Sequence, residues 1–342
     1  RTENYRMARI LVVGGGVIGC AIAERLSRER HQVTLLERDH LGAHASGAAA
    51  GLLAPFSEGG QDMEVTSLSL FPDLVSHIES ASGVEVEFRA GQTIAPALTG
   101  ADERRLRRSN GEWVDSAAAL ALEPALNRAV RGAALYPEAQ ISPPRFLRAL
   151  ARTAVLQGAV IREGALVGAL ISRANRVTGV RTSEGDLRAD LTVLAAGPWS
   201  PSLASPVGVA LDVRPSRGQL LTLLPSRRLL TRLLTWHGSY LMPKPDGTVV
   251  AGSTEEEVGF DARVTAGGMN ALLEFALRAL PELANSIVER SWAALRPATP
   301  DGRPLIGLAA GPEGLIVATG HNRNGILLAP VTAEMVLKLV SS

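Results

Sequence analysis

The stretch "RILVVGGGVIGCAIAERLSRERHQVTLLERD", Arg9 to Asp39, decides the reading of the fold. Ile10 to Val13 is a short, continuous apolar run, the mark of a strand buried on both faces. Gly14, Gly16 and Gly19 follow in G-x-G-x-x-G spacing, and Ile18, Ala21, Ile22 and Leu26 recur as one face of a helix. A second apolar strand, Val33 to Leu36, ends at the acid Glu37. Gly14 permits the tight turn, Gly16 lets a pyrophosphate approach the backbone, and Gly19 lets helix and strand pack closely. The helix N-terminus offers free N–H groups and partial positive charge to the phosphates. Glu37 stands about 20 residues beyond the turn, where an acid accepts from a ribose diol. Its charge repels a 2′-phosphate, so FAD or NAD is favoured over NADP.

Working outward, two more segments join a strand to a glycine turn: "DLTVLAAGPWS" (Asp190–Ser200) and "IVATGHNRNGILLAP" (Ile316–Pro330). The first follows an expected hairpin over Arg176–Ala189, turning near Glu184–Asp186. Three parallel-strand candidates so far apart imply a discontinuous nucleotide-binding part. In the last segment the strand Leu315–Thr319 should turn at Gly320 and start a helix near Gly325. "GAHASGAAAGLLAP" (Gly42–Pro55) has two readings: a packed helix N-terminus capped by Ser46, or small residues pressed against a flat ring or pyrophosphate.

Composition fits this picture. The 342 residues are 46% hydrophobic and 20% charged, as in a well-packed globular chain of one large or two interleaved domains. A formal charge of +1 offers no strong field to nucleic acid or anionic lipid. The arginine-rich runs Asp102–Asn110 and Arg227–Leu234 read as solvated helix faces. The single cysteine, Cys20, excludes an internal disulfide and any multi-cysteine zinc site, and reads as buried filler. No apolar run is expected to reach the 18 to 20 or so residues of a membrane span. The six residues before Met7 read as a ragged start with no signal peptide, which leaves a cytoplasmic location as the expectation.

The order of "VVGGGVIGCAIAERL", "ASGAAAGLLAP", "VLAAGPWS", "RPSRGQLL", "SYLMPKPDG", "WAALRPATPDGRPLIG" and "GHNRNGILLAP" resembles the D-amino-acid-oxidase family of FAD enzymes. The last two segments are most similar to its glycine oxidase branch, and the likeness covers almost the whole chain. The family likeness implies an α/β fold: a Rossmann-type FAD-binding domain over residues 1–85, 141–205 and 290–342. An antiparallel-sheet α+β substrate domain would occupy 86–140 and 206–289. It further implies noncovalently bound FAD and no metal. The activity would be oxidative deamination of glycine, and of sarcosine or small D-amino acids, to the oxo acid, ammonia and hydrogen peroxide.

By the same matching, Arg296 is the carboxylate clamp, Tyr240 the hydroxyl donor to that carboxylate, and Arg323 a second position near substrate and flavin. Their residue types alone also suit a structural ion pair or a half-buried strand tyrosine. Val17 and Ile18 would meet the pyrophosphate, and Glu37 and Arg38 the adenosine ribose. Ala45, Ser46, Ala50, Gly51 and Leu52 would line pyrophosphate and ring, and Val167 would contact adenine. His321, Asn322, Arg323, Asn324, Gly325, Ile326 and Leu327 would close over the isoalloxazine, the polar ones hydrogen-bonding its pyrimidine edge. His237 and Ser239 are weaker pocket-wall candidates.

Leu52, Asn322 and Glu255 depart from the family pattern, the last in an acidic loop read as solvated. The resemblance also implies a thiazole-forming partner in thiamine synthesis, and leaves homo-oligomerisation open. A D-amino-acid or sarcosine oxidase, or a dehydrogenase of the same family, shares these features. A flavin-containing tRNA-modifying enzyme shares the first motif.

Overall fold

The strand Arg9–Val13 lies inside a six-stranded sheet, and its buried run Ile10–Val13 shows why that stretch is wholly apolar. The computed structural model describes residues 7–342, so the ragged start before Met7 lies outside the described residues. The sheet runs Leu305–Leu308, Leu315–Thr319, Leu191–Leu194, Arg9–Val13, Gln32–Leu36 and Val160–Arg162. All neighbours are parallel except the first pair, which is antiparallel. The three glycine-turn segments therefore lie side by side, their turns at one end of the sheet.

Helices cover one face. The first, Val17–Arg28, buries Cys20, Ile22 and Leu26 against the helices Pro143–Leu156 and Gly325–Ser341. Each such buried Ile or Leu contributes about 1.5–3 kcal/mol. Gly19 approaches the Gly14 carbonyl so closely that a Cβ there would collide with it. The opposite face is covered by the antiparallel sheet Val167–Arg173, Arg176–Thr182 and Gly185–Arg188, the last two forming the expected hairpin.

A larger sheet follows the order Ile287–Ala298, Arg214–Leu224, Val249–Gly252, Ser239–Pro243, Leu233–Trp236, Arg89–Pro96, Gly132–Gln140 and Leu52–Leu53, with Glu112–Asp115 branching from Gly132–Gln140. It is antiparallel except where Leu233–Trp236 meets Arg89–Pro96 in parallel. Helix Ala266–Ala279 packs on it through Leu272 and Ala276. The strands Leu52–Leu53 and Ile287–Ala298 hydrogen-bond into this sheet. We retain the two-part division as a proposal, with those strands as the crossings between its parts.

Two expectations need correction. Residues 227–232 are a loop leading into the strand Leu233–Trp236, not a helix face; the β-branched and aromatic residues that follow select the strand. Asn322–Ser341 is long and apolar enough, by length and composition, to span a bilayer. Half of it is buried, however, and it packs on the first helix and on Asp62–Ser82, as a core helix does.

Candidate functional site

A continuous cleft runs between the two sheets, from Gly14 and Glu37 at one end to Tyr240, Arg296 and Arg323 at the other. At the Gly14 end, the turn residues Gly14, Gly16, Val17 and Ile18 line it, with the helix N-terminus facing in. Gly19 does not line it; its role is the close packing described above. Of the two readings of the small-residue segment, Ser46 takes part in both: it lines the cleft, and its Oγ caps not its own helix, Ala45–Ala48, but the first, accepting from the Val17 N–H at 2.9 Å. The small-residue segment folds back across that terminus, which brings a hydroxyl there.

Glu37 is buried, and its carboxylate accepts from the Gly15 N–H at 2.7 Å and the Asp39 N–H at 2.9 Å. An ionised carboxylate offers about four acceptor positions, so two remain for a diol. Arg38 lies 3.9 Å from the centre of the Trp199 ring and donates to Asp39 at 3.0 Å. Trp199 lines the cleft and was missed from sequence; the signal was the tryptophan in the quoted "GPWS" turn. Val167 lines the same end.

Ala45, Ala50, Gly51 and Leu52 form the middle of the wall. The larger sheet holds this segment from behind. Trp292 Nε1 donates to Ala48 O at 2.9 Å, Lys244 Nζ to Ala50 O at 2.6 Å, and Ile141 N to Gly51 O at 3.0 Å. Facing backbone, an open helix terminus and a run of small side chains suit a long dinucleotide, and the residues present fit FAD.

The strand Leu315–Thr319 turns at Gly320 and enters a short turn at Asn322–Asn324 before the helix Gly325–Ser341, as the sequence predicts. Of that turn, His321, Asn322, Arg323, Gly325 and Ile326 line the cleft; Asn324 and Leu327 do not. His321 lines the cleft, and its Nε2 is taken up by Thr332 Oγ1 at 3.0 Å. The side chain points into the core, and burial pushes its pKa down to about 3. Asn322 Oδ1 is buried with no partner among the described residues, an acceptor free for a ligand donor.

At the far end Arg296, on the strand Ile287–Ala298, donates through Nη1 to Thr254 O at 3.1 Å and through Nη2 to Ser253 Oγ at 2.5 Å. No carboxylate among the described residues lies within ion-pair distance of it. Burial pulls its pKa below the usual guanidinium value, and the charge of Arg323 adds to that. Tyr240 is buried beside it; burial raises the phenol pKa, so the hydroxyl keeps its proton. Arg323 is held differently, with Nη2 on Glu58 at 2.9 Å and on Gly238 O at 2.7 Å.

Glu58 lines the cleft and was not singled out from sequence, since nothing in "PFSEGG" marks it. His237 and Ser239 do not line it; His237 Nε2 pairs with Asp102 at 2.7 Å. The acidic loop is not simply solvated. Glu256 binds Arg217, Gln219 and Thr254, and although partial burial opposes ionisation, these hydrogen bonds hold its pKa down at about 2.

The chain is similar to known proteins over nearly its whole length. A bifunctional ThiO/ThiG protein of a Nostoc species is 35% identical over 97% of this chain, which spans about half (52%) of that relative. A glycine oxidase of Pseudomonas putida is 32% identical, with 97% of this chain and 94% of that protein matched. The crystal structure of glycine oxidase from Geobacillus kaustophilus superimposes with a TM-score of 0.91 at 33% identity, covering 98% of this chain and 95% of that one. The sequence profile described as FAD dependent oxidoreductase matches residues 9–339, nearly the whole length over which the strands, the glycine turns and the cleft are built, so the chain belongs to that family and FAD is its cofactor.

Proposed function

We propose that the chain oxidises glycine, or an amino acid of similar size, at its carbon–nitrogen bond. Glycine, water and O2 would become glyoxylate, ammonia and hydrogen peroxide. The observation that carries this reading is Arg296, a guanidinium lining the cleft with no carboxylate at ion-pair distance among the described residues. Thr254 and Ser253 engage one N–H each and fix the plane, leaving three of the five donors for an anion. A protonated Tyr240 hydroxyl is the natural second donor to the same carboxylate. Bound FAD supplies the two-electron acceptor.

Among the described residues Glu37 and Glu58 are the carboxylates that line the cleft, and Glu37 belongs to the dinucleotide end. Glu58 therefore remains as an acceptor for the substrate amine. Buried, neutral His321 is engaged by Thr332 and is not cast as a base. Positioning is then the main catalytic device. The glycine oxidase relatives support the substrate class, and the Nostoc protein, which joins ThiO to ThiG, supports a link to a thiazole-forming partner.

The test is peroxide release from glycine, sarcosine and D-alanine, with and without oxygen. Turnover of glycine with peroxide is expected. Electrons delivered to a dye but not to oxygen would make the chain a dehydrogenase, and no turnover of any of the three would end the reading. Arg296→Ala should raise KM for glycine about 100-fold, the loss of charged hydrogen bonds worth about 1.5–3 kcal/mol each.

A further inference from the structure

The geometry points to Glu255 as the residue that sets which net charge the substrate site accepts, favouring zwitterionic amino acids over those with a second carboxylate. The inference rests on the carboxylate reading of Arg296. Two carboxylates converge on one guanidinium: Glu58 Oε1 lies 2.9 Å from Arg323 Nη2, and Glu255 Oε2 lies 3.9 Å from Arg323 Nη1. The first is a hydrogen bond; the second is too long to be one. Arg323 is thus already neutralised by Glu58, and the charge of Glu255 is left over.

Asn322, which lines the cleft, leans the same way, with Nδ2 3.5 Å from Glu255 Oε1. Glu255 does not line the cleft itself but touches Asn322 and Arg323, which do, and its side chain is 50% exposed, against 18% for Glu58. Arg296, held by the carbonyl of Thr254 next to Glu255, has no carboxylate at ion-pair distance among the described residues. The four side chains sum to zero. A zwitterion leaves that balance unchanged. A dicarboxylate must bring its second charge into the field of Glu255.

Both carboxylates act on Arg296 through space. Burial is the largest influence on its guanidinium, and Glu255 and Glu58 oppose it. Remote electrostatics of this kind scales with ligand charge. If Glu255→Gln tightens a monoanion by some factor, it should tighten a dianion by about the square of that factor and leave a zwitterion nearly unmoved. For a charge a few ångströms off in a partly solvated setting, the factor is about three to ten. It should shrink at high salt, because Glu255 is half exposed.

The experiment titrates the FAD-loaded enzyme with 3-aminopropanoate, acetate and malonate, net charges 0, −1 and −2. The change in the cofactor's visible spectrum gives Kd. Glu255→Gln and Glu255→Met are compared with the unaltered chain, and a thermal melt checks folding. The expected result is a shift in log Kd that grows in proportion to ligand charge in both variants. Equal shifts for all three ligands, or none, would overturn the role of Glu255 and leave the carboxylate site standing. Failure of acetate to bind the unaltered chain would overturn the carboxylate site itself, and this inference with it.

Discussion

Gly218 and Arg296 are diagonal neighbours on paired strands, Gly218 opposite Ala294 and Arg296 opposite Ser216, and a Cβ on Gly218 would run into the guanidinium. The strand Arg214–Leu224 thus leaves a notch in which Arg296 lies flat, with Ser253 and Thr254 holding it. Gly218→Ala should push the guanidinium out of that plane without disturbing the strand, since Gly218 has no left-handed backbone to lose. We expect KM for glycine to rise about tenfold, a loss of about 1.4 kcal/mol in carboxylate binding. Retained FAD and an unchanged melting temperature would separate this from unfolding.

Tyr240 is the second donor at that end, and its test is simpler. Tyr240→Phe removes one hydroxyl and keeps the ring that packs with Leu220 and Met242. A hydrogen bond to a charged group is worth about 1.5–3 kcal/mol, so KM should rise about 10- to 100-fold. The rise should be absent for binding of glycinamide, in which a neutral amide replaces the carboxylate, and an equal loss for both would place the hydroxyl elsewhere.

What the sequence made legible follows from the range of the forces involved. Ile10–Val13, the glycine spacing and the turn at Gly320 are set by local sterics and burial, and all were read correctly. Contacts between distant segments were not readable. Glu58 meets Arg323 across 265 positions, and nothing around either residue announces the pairing. Ser46 is a possible cap by residue type, but which helix it caps depends on how the chain folds back. Arg296 could be named only through a family pattern; that no carboxylate among the described residues pairs with it is a property of the folded chain.

His321 gives the stability of the fold a pH dependence of definite sign. Burial holds the folded-state pKa at about 3, below the ordinary value of 6.5. Between those values the unfolded chain binds a proton that the folded chain does not, so stability falls as pH drops from about 6.5 toward 3. His321→Asn retains a partner for Thr332 and removes the titration. From pH 7 to pH 4 the variant should lose about 3 kcal/mol less unfolding free energy than the unaltered chain. Denaturant melts at the two pH values measure it, and parallel losses would show that His321 does not titrate in this range.

Trp292 tests whether the small-residue wall owes its shape to the larger sheet. It stands four positions before Arg296 on the same strand and donates from Nε1 to Ala48 O at 2.9 Å, while Arg290 covers its ring at 4.3 Å. Trp292→Phe keeps an aromatic ring under Arg290 but leaves the Ala48 carbonyl without its donor, at a cost of about 1–3 kcal/mol. Ala48 lines the cleft, so the slack should appear in cofactor retention as well as in stability. We expect FAD to dissociate about tenfold faster, with KM for glycine changed less than in Gly218→Ala, because Arg296 keeps its own partners. A variant that melts lower yet releases FAD at the original rate would show that Ala45–Leu52 holds its course without the bond from the sheet behind it.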